Sequence, residues 1–262
     1  MAQLAVDPRV EDEGAQAIVL DRSEWLRTAA ELEGRHPADA VRWALERFPR
    51  GRVAVVTGLQ ADGVAIATLA LDVDPLVRIL TIDTGRLHAE TYEYVDTLRA
   101  TWKRDIEVVR PDPAKVVAMV SRHGSDLFYI SPELRQHCCS IRKVDALDGV
   151  MIDIDCWLTG LRREQSPSRA DTPVVGEDPQ RPGVTKVSPL AAWREEQAIE
   201  LLRERGVPLH PLYGRGYRSI GCAPCTRAVR AGEPERAGRW WWEQGVDTEC
   251  GLHVAAVAGG NR

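Results

Sequence analysis

The sequence lacks an apolar run near the roughly 20 residues that a membrane-spanning helix needs, so we expect no membrane association. It also lacks an excess of positive charge. The net charge of −5 and the isoelectric point near 5.8 argue against a general nucleic-acid-binding protein. The first 14 residues are acidic and do not show the basic-then-apolar pattern of a signal peptide. We therefore expect a cytoplasmic, reducing location.

Cysteine is scarce, with six residues in 262, and four of the six form two close pairs: Cys138, Cys139, Cys222 and Cys225. In a reducing compartment, clustered cysteines are more often metal ligands or catalytic groups than disulfides. Four thiolates can bind zinc or a [4Fe–4S] cluster. Adjacent side chains on a helix point about 100° apart, which suits a bulky cluster better than one small ion. Zinc, disulfides and unconnected core cysteines remain the alternatives. Cys250 stands apart and is the candidate for chemistry.

Short apolar runs alternate with helical patterns along the middle of the chain. This alternation predicts an α/β fold, a parallel twisted sheet flanked by helices. The expected strands are 52–57, 78–82, 105–110 and 155–160, and the expected helices are 62–71, 88–102, 113–123 and 189–205. Residues 1–50 are interpreted as a helical N-terminal extension of the same domain, and 51–262 as the main domain with a mobile, catalytic tail from about 245 to 262. The proline-rich stretch 171–183 is expected to be a loop.

Two polar turns follow the first two expected strands, and each belongs to the edge of a parallel sheet where ligands bind. The first contains Thr57, Gly58, Leu59 and Gln60, and the second contains Asp83, Thr84, Gly85 and Arg86. The first turn is not a Walker A loop, because it has no Gly-Lys-Ser/Thr. An ordinary strand-to-helix turn is the alternative interpretation for this stretch.

Three groups of cations are candidates for binding an anion. They are Lys143, just after the adjacent cysteines; Arg162 and Arg163, at the end of an expected strand; and Arg236 and Arg239, just before three tryptophans. Arginine can bind phosphate or sulfate through two hydrogen bonds. The alternatives are a solvated basic pair for the first group, and core packing with a basic surface for the last.

Several of these segments together carry a family resemblance. They are Asp83-Thr-Gly-Arg-Leu-His-Ala-Glu-Thr-Tyr92, Cys138-Cys139 with Arg142-Lys143, Thr159-Gly-Leu-Arg-Arg-Glu-Gln-Ser166, Cys222-x-x-Cys225-Thr-Arg, Arg236-Ala-Gly-Arg-Trp-Trp-Trp242 and Glu249-Cys250-Gly-Leu-His253. The chain resembles the assimilatory adenylylsulfate reductases, the iron–sulfur branch of the phosphoadenylylsulfate reductase family. The matching segments, with the looser first turn, span residues from about 50 to 253.

The resemblance implies an adenine-nucleotide α-hydrolase-like fold and a reductase that converts adenosine 5′-phosphosulfate to sulfite and AMP. This reaction belongs to sulfate assimilation and cysteine biosynthesis, with thioredoxin as electron donor. By the same resemblance, one [4Fe–4S] cluster is bound by the four clustered cysteines, and Cys250 is the nucleophile that forms a thiosulfonate. Lys143, Arg236 and Arg239 would bind the phosphosulfate, with help from Arg162 or Arg163.

Three other functions remain open at this point. The first is the same chemistry on 3′-phosphoadenosine 5′-phosphosulfate. The second is a non-redox adenylyl-transferring enzyme, which would have no use for Cys250. The third is a non-catalytic metal-binding module that senses a nucleotide. The sequence leaves the oligomeric state open, including a homo-oligomer.

Overall fold

The computed structural model describes residues 16–243, 249 and 251–252. Within these residues, eight α-helices surround one six-stranded sheet. The helices are α1 (Arg22–Leu32), α2 (Pro37–Arg47), α3 (Ala61–Val73), α4 (Ala89–Trp102), α5 (Pro113–His123), α6 (Pro132–Cys139), α7 (Asp145–Val150) and α8 (Glu195–Glu204). The strands are β1 (Val53–Val56), β2 (Arg78–Ile82), β3 (Glu107–Val109), β4 (Cys156–Thr159), β5 (Val175–Asp178) and β6 (Arg181–Val187).

The strand order across the sheet is β3-β2-β1-β4-β6-β5. All neighbouring pairs are parallel except β5 and β6, which are antiparallel. The chain moves outward from β1 to β3 and then returns to place β4 on the other side of β1. The crevice at the carboxyl ends of β1 and β4 is therefore the topological switch point, where sheets of this kind bind ligands.

The four strands expected from apolar runs are confirmed, with boundaries shifted by at most two residues. The predicted parallel sheet is confirmed, with β5 joining it antiparallel at one edge, and the expected loop over residues 171–183 instead contains β5 and the start of β6. Its prolines do not prevent this pairing because none of them is at a paired position: Pro173 precedes β5, Pro179 lies in the turn between the strands, and Pro182 has no partner in the β5–β6 register. Val175 is buried and pairs with Val187, so tertiary packing overrides the turn-rich composition.

The N-terminal helices pack onto the sheet. α1 contacts β5, and α2 contacts both α3 and β6. The indole Nε1 of Trp25 donates a hydrogen bond to Thr185 on β6. Cys156, on β4, is fully buried in the same core, where burial raises the pKa of its thiol well above the ordinary value. No helix in the described part of the chain combines the length and apolar character that crossing a membrane requires.

The segment from α6 to α7 carries two adjacent cysteines and two cations. α6 begins at Pro132, where the Ser131 hydroxyl accepts a hydrogen bond from the backbone N–H of Leu134. After Cys139 the helix widens into a π-helix over Ser140–Val144, and this turn contains Arg142 and Lys143. Single π-helical turns within α-helices are frequently found at functional sites.

Candidate functional site

A cavity of about 170 Å³ lies at the switch point of the sheet. Its floor is the carboxyl ends of β1, β2 and β4, through Thr57, Thr84 and Gly160 among other residues. Of the residues predicted from sequence to bind the substrate, seven line it: Thr57, Gly58, Gln60, Thr84, Lys143, Arg236 and Arg239. The two polar turns meet here because the carboxyl ends of parallel strands lie on the same side of the sheet. Two of the three cation groups join them from outside the sheet.

The first polar turn is held in one shape by its own contacts. The Thr57 hydroxyl accepts a hydrogen bond from the backbone N–H of Leu59, 2.9 Å away. Leu59 adopts a positive φ of 59° and its side chain is buried in the core, so it shapes the turn and does not line the cavity. A Cβ on Gly63 would lie 2.1 Å from the Thr57 hydroxyl oxygen. Only glycine lets the first turn of α3 approach this loop so closely.

The second polar turn joins the cavity to the cysteines. Thr84 lines the cavity, and its hydroxyl lies 3.2 Å from the Cys222 sulfur. Asp83 and Gly85 build the turn itself, because the Asp83 carboxylate accepts hydrogen bonds from the Gly85 N–H and the Tyr92 hydroxyl. Arg86 points away, pairing with Asp126 at 2.6 Å. Asp83, Gly85 and Arg86 therefore do not line the cavity.

Arg236 and Arg239 border the cavity from a segment that is not helical. The backbone from 235 to 238 forms turns, and Arg239 makes an isolated bridge to Thr226. The Arg239 guanidinium is buried and lies 4.6 Å from the Trp240 ring centroid. A Cβ on Gly221 would lie 2.5 Å from the Arg239 guanidinium carbon, so this glycine leaves room for that cation.

Arg162 and Arg163 lie outside the cavity lining. Arg162 is completely buried and binds two carboxylates, Asp62 at 2.7 Å and Glu235 at 2.8 Å. Arg163 turns to the surface and pairs with Glu33 on the helical extension. Burial works against the Arg162 charge, but its two carboxylate partners raise the pKa of Arg162 above the ordinary value. The structure places Arg162 as a support for the cavity wall, since both of its partners line the cavity.

Burial shifts the two carboxylates that hold Arg162. Burial raises the pKa of Asp62, while Arg162 acts in the opposite direction. Burial also raises the pKa of Glu235, to about 7, in spite of the nearby guanidinium. Gln165 donates a further hydrogen bond to Asp62, 2.8 Å away. A buried, charged network therefore fixes one wall of the cavity.

The four clustered cysteines line a second, smaller cavity, beside the first. Cys138, Cys139, Cys222 and Cys225 are all buried and pack with Phe128 and Trp240. All five described cysteines are free thiols, so the structure offers no disulfide among them. Lys143 borders both cavities and thus connects the cysteines with the switch point.

Four buried thiols around one cavity are a donor set that an iron–sulfur cluster would fit. Within residues 16–243, 249 and 251–252, no three His, Cys, Asp or Glu side chains are arranged to hold one metal ion. Burial raises the pKa of Cys138, and raises that of Cys225 to about 12 with help from Cys222 and Cys139. Binding of a metal centre would displace the protons of these thiols, and this holds for an iron–sulfur cluster as for a zinc ion.

The residues on either side of Cys250 are described, and each contacts another part of the fold. Glu249 is buried and binds Arg169 through both carboxylate oxygens, at 2.8 and 2.7 Å. The Gly251 carbonyl accepts a hydrogen bond from the Gln180 side chain. Cys250 itself lies outside the described residues, as do His253 and most of the expected tail, so the prediction of a nucleophile there stays a prediction.

Sequence reasoning missed five side chains of the cavity and its wall: Asp62, Gln165, Arg169, Glu235 and Glu249. Each is a common surface residue type, and its partner is distant in the chain. Arg169 is the most informative of them, because it lines the cavity and is only 8% exposed. No pattern in the surrounding sequence distinguishes Arg169 from Arg162 and Arg163.

Comparisons with known proteins show which family the chain is similar to. Residues 52–228 match the model of the phosphoadenosine phosphosulfate reductase domain. The chain is 43% identical over 206 residues to an adenosine 5′-phosphosulfate reductase of Burkholderia cepacia, covering 79% of this chain and 82% of the relative. It is 43% identical over 220 residues to the protein of the same name from Sinorhizobium fredii (strain USDA 257), covering 79% and 86%.

A solved structure supports the fold. The phosphoadenylyl-sulfate reductase of Candida auris, crystallised as a phosphate complex, superposes with a TM-score of 0.68. It covers 82% of this chain and 100% of its own, at 24% sequence identity. This likeness supports the α/β architecture and adds nothing about the substrate. The fold predicted from the sequence is thereby confirmed, apart from the antiparallel edge strand.

Proposed function

The chain belongs to the phosphoadenosine phosphosulfate reductase domain family and is an oxidoreductase acting on a sulfur group; from this we propose that it reduces adenosine 5′-phosphosulfate to sulfite and AMP with thioredoxin. The proposed reaction serves sulfate assimilation and cysteine biosynthesis in the cytoplasm. The names of the relatives support the unphosphorylated nucleotide as substrate.

One observation carries the proposal most strongly: the switch-point cavity is bordered by four cations next to four clustered thiols. Lys143, Arg169, Arg236 and Arg239 all line the pocket at the strand ends. A nucleotide phosphosulfate has two adjacent anionic groups, and guanidinium groups bind such oxygens through paired, charge-assisted hydrogen bonds. The cavity therefore suits a small anionic nucleotide.

In the first proposed step, the Cys250 thiolate attacks the sulfur of the substrate. The new S–S bond forms as the S–O bond breaks, and AMP leaves with the electron pair of that bond. The product is an enzyme thiosulfonate, Cys–S–SO₃⁻, so the difficult transfer is divided into two easier steps. A free cysteine has a pKa of about 8.5, and nearby cations would raise its thiolate fraction at neutral pH.

In the second step, a thioredoxin thiolate attacks the Cys250 sulfur and sulfite leaves with the electron pair of the S–S bond. The second thioredoxin thiol then attacks the mixed disulfide and returns Cys250 as a thiolate. Thioredoxin ends as a disulfide, so the two electrons gained by the substrate sulfur come from its dithiol.

The cysteine cavity is proposed to hold one [4Fe–4S] cluster. Cys138, Cys139, Cys222 and Cys225 would be its ligands. When bound, the cluster supplies a fixed charge beside the cation site. The electrons need not pass through it, because thioredoxin supplies both. Lys143, on the π-helix between the two cavities, would hold the substrate anion on the side facing the cysteines.

A second substrate deserves a direct comparison, because the matching family model takes its name from the 3′-phosphorylated nucleotide. Sulfite release should therefore be measured with adenosine 5′-phosphosulfate and with its 3′-phosphorylated form, each with reduced thioredoxin. We expect faster turnover with the unphosphorylated substrate. Faster turnover with the 3′-phosphorylated form would make that nucleotide the substrate. No sulfite release with either nucleotide would indicate a transferase or a nucleotide sensor.

The covalent step is tested without thioredoxin. Incubation with adenosine 5′-phosphosulfate should add one SO₃ group, about 80 Da, to the peptide that contains Cys250. The Cys250→Ser variant should keep iron and bind AMP but form no adduct. An adduct on another cysteine would overturn the proposed nucleophile.

A further inference from the structure

The buried ring of Trp240 carries two cations. The guanidinium carbon of Arg135 lies 4.4 Å from the ring centroid, and that of Arg239 lies 4.6 Å from it. Only 1% of Trp240 is exposed. The negative face of an indole attracts a cation, most strongly where water is excluded. Two like charges this close also repel each other, so each of the two guanidinium groups needs compensation.

The two cations differ in their other partners. Arg135 lines the cysteine cavity, and its Nε donates a hydrogen bond to the Glu243 carboxylate at 2.6 Å in a buried ion pair. Arg239 lines the switch-point cavity and is 7% exposed. Among the residues that the structure describes, no carboxylate pairs with Arg239. Its guanidinium makes one long hydrogen bond, to the Ile220 carbonyl at 3.5 Å, and its Nε has no described partner.

A buried cation without an anion is costly, and the Trp240 ring offsets part of that cost for Arg239. The ion pair with Glu243 already serves Arg135. Of the two cations on the ring, Arg239 is therefore the one whose charge is available to a ligand anion in the switch-point cavity.

Backbone contacts fix Trp240 next to both cavities. Its φ of 44° lies in the left-handed region, which a bulky side chain rarely adopts. Its N–H donates a hydrogen bond to the Cys225 carbonyl at 3.2 Å, and its carbonyl accepts one from the Glu243 N–H at 2.8 Å. The preceding residue, Arg239, forms an isolated bridge to Thr226. Strained residues persist where the surrounding structure determines them, and they cluster at functional sites.

We propose that Trp240 is a positioning residue for the nucleotide anion: its ring stabilises the charge of Arg239 and holds that guanidinium at the switch-point cavity. Trp240 does not line this cavity, so it acts through Arg239. Its backbone bond to Cys225 and its contact with Arg135 attach the ring to the cysteine side. The inference rests on the proposed function, since it concerns the same nucleotide site.

Two substitutions separate the ring face from the bulk of the side chain. Trp240→Leu removes the face, and Trp240→Phe keeps a weaker one. In protein loaded with its cluster, AMP affinity should fall roughly fivefold to thirtyfold in the leucine variant and about twofold to fourfold in the phenylalanine variant. Adenosine, which lacks the phosphate, should bind all three proteins equally. Calorimetric titration measures both ligands, and iron content and thermal unfolding report whether the variants are folded.

Trp241→Leu is the matched control. Trp241 is the next residue, is 42% exposed and packs against Trp242, with 4.8 Å between the ring centroids. Its substitution should leave AMP affinity unchanged. Wild-type AMP affinity in Trp240→Leu, or a loss of adenosine affinity as large as the loss of AMP affinity, would overturn the proposal and leave the proposed function intact. If the wild type binds no AMP, the proposed function fails and this role fails with it.

A double-mutant cycle tests whether Trp240 acts through Arg239. Arg239→Gln alone should weaken AMP binding. Adding Trp240→Leu to Arg239→Gln should change AMP affinity by less than about twofold, because the cation that the ring holds is already gone. The cycle is run with Trp240→Phe if the leucine variant does not fold. Losses of AMP affinity that multiply in the double variant would show that ring and guanidinium act independently, and the proposal would be wrong.

Discussion

Lys143 is the residue where the two cavities meet. It stands on the π-helix, one residue after Arg142, whose guanidinium donates a hydrogen bond to the Thr84 carbonyl at 2.7 Å. That bond ties the π-helix to the turn after β2. The position of the Lys143 ammonium therefore depends on the π-helix and on the turn after β2. It does not follow only from the place of Lys143 after the adjacent cysteines in the sequence.

Replacing Lys143 by alanine should lower turnover more than stability. A charge-assisted hydrogen bond is worth roughly 1.5–3 kcal/mol, which corresponds to about a tenfold to a hundredfold loss in kcat/KM. Steady-state sulfite release and thermal unfolding would measure the two effects. The control is Lys115→Ala, since Lys115 is exposed and pairs with Asp145 at the surface. Wild-type kinetics in Lys143→Ala would show that this lysine does not bind the substrate.

Glu235 should make stability depend on pH. Its folded-state pKa of about 7 lies above the ordinary 4.5, so the folded state binds the proton more tightly than the unfolded state. This contribution is fully present below about pH 4.5 and is lost as the pH rises through about 7. Between about pH 5 and about pH 8, the free energy of unfolding should fall by about 1–3 kcal/mol more in wild type than in Glu235→Gln. Urea titrations at several pH values measure the free energy of unfolding of both proteins. The same dependence of this free energy on pH in wild type and Glu235→Gln would contradict the prediction.

At the scale of elements, the cysteine cavity is made by two segments far apart in sequence. One is α6 with the π-helix that continues it, and the other is the 3₁₀ turn Ala223–Cys225. The backbone N–H of Ala223 donates to the Arg86 carbonyl at 2.7 Å, so the turn after β2 also positions the second cysteine pair. Three elements therefore have to be correctly placed before the four thiols converge.

Cys222→Ser should lose iron and most activity, because removal of one thiolate opens a coordination site on the cluster. Iron content, visible absorbance near ~400 nm and sulfite release would be measured on anaerobically purified protein. Cys156→Ala is the control. Cys156 lies on β4, in a different hydrophobic cluster from the one that contains the four clustered cysteines. Full iron content in Cys222→Ser would refute the assignment of the ligands.

At the scale of the whole molecule, Arg162 holds together parts that the fold brings from distant places. Asp62 is on α3, Arg162 follows β4, and Glu235 belongs to the turn before Arg236. The return of the chain from β3 to β4 brings the first two side by side. The network therefore couples the sheet to the segment that supplies the cavity's arginines.

Arg162→Gln should destabilise the protein by about 3–5 kcal/mol, because removing one partner leaves buried carboxylates unpaired. Arg163→Gln is a matched neighbour whose ion pair with Glu33 is partly exposed, so it should cost less than about 1 kcal/mol. Chemical denaturation of both variants gives the comparison. An equal, small loss of unfolding free energy in both variants would show that Arg162 does not support the cavity wall.

The sequence by itself determined the features whose signal is local. Apolar runs located β1 to β4, because a buried parallel strand is apolar throughout. The spacing of the cysteines predicted four ligands on two segments, which the fold brings to one cavity. Polar turns after strands predicted the ligand edge, because parallel strands end on the same side of a sheet. The antiparallel hairpin of β5 and β6 was missed, since its composition is that of a loop and its pairing depends on packing.

Tertiary structure alone decided which cations face the cavity. Arg162, Arg163 and Arg169 lie within eight residues of one another, and no pattern in that stretch distinguishes them. The fold buries the first between carboxylates, turns the second to the surface and places the third on the cavity. Their partners, Asp62, Glu33 and Glu249, are distant in sequence. A charge's role depends on which opposite charge it meets and how much water it keeps, and both are set only when distant segments pack together.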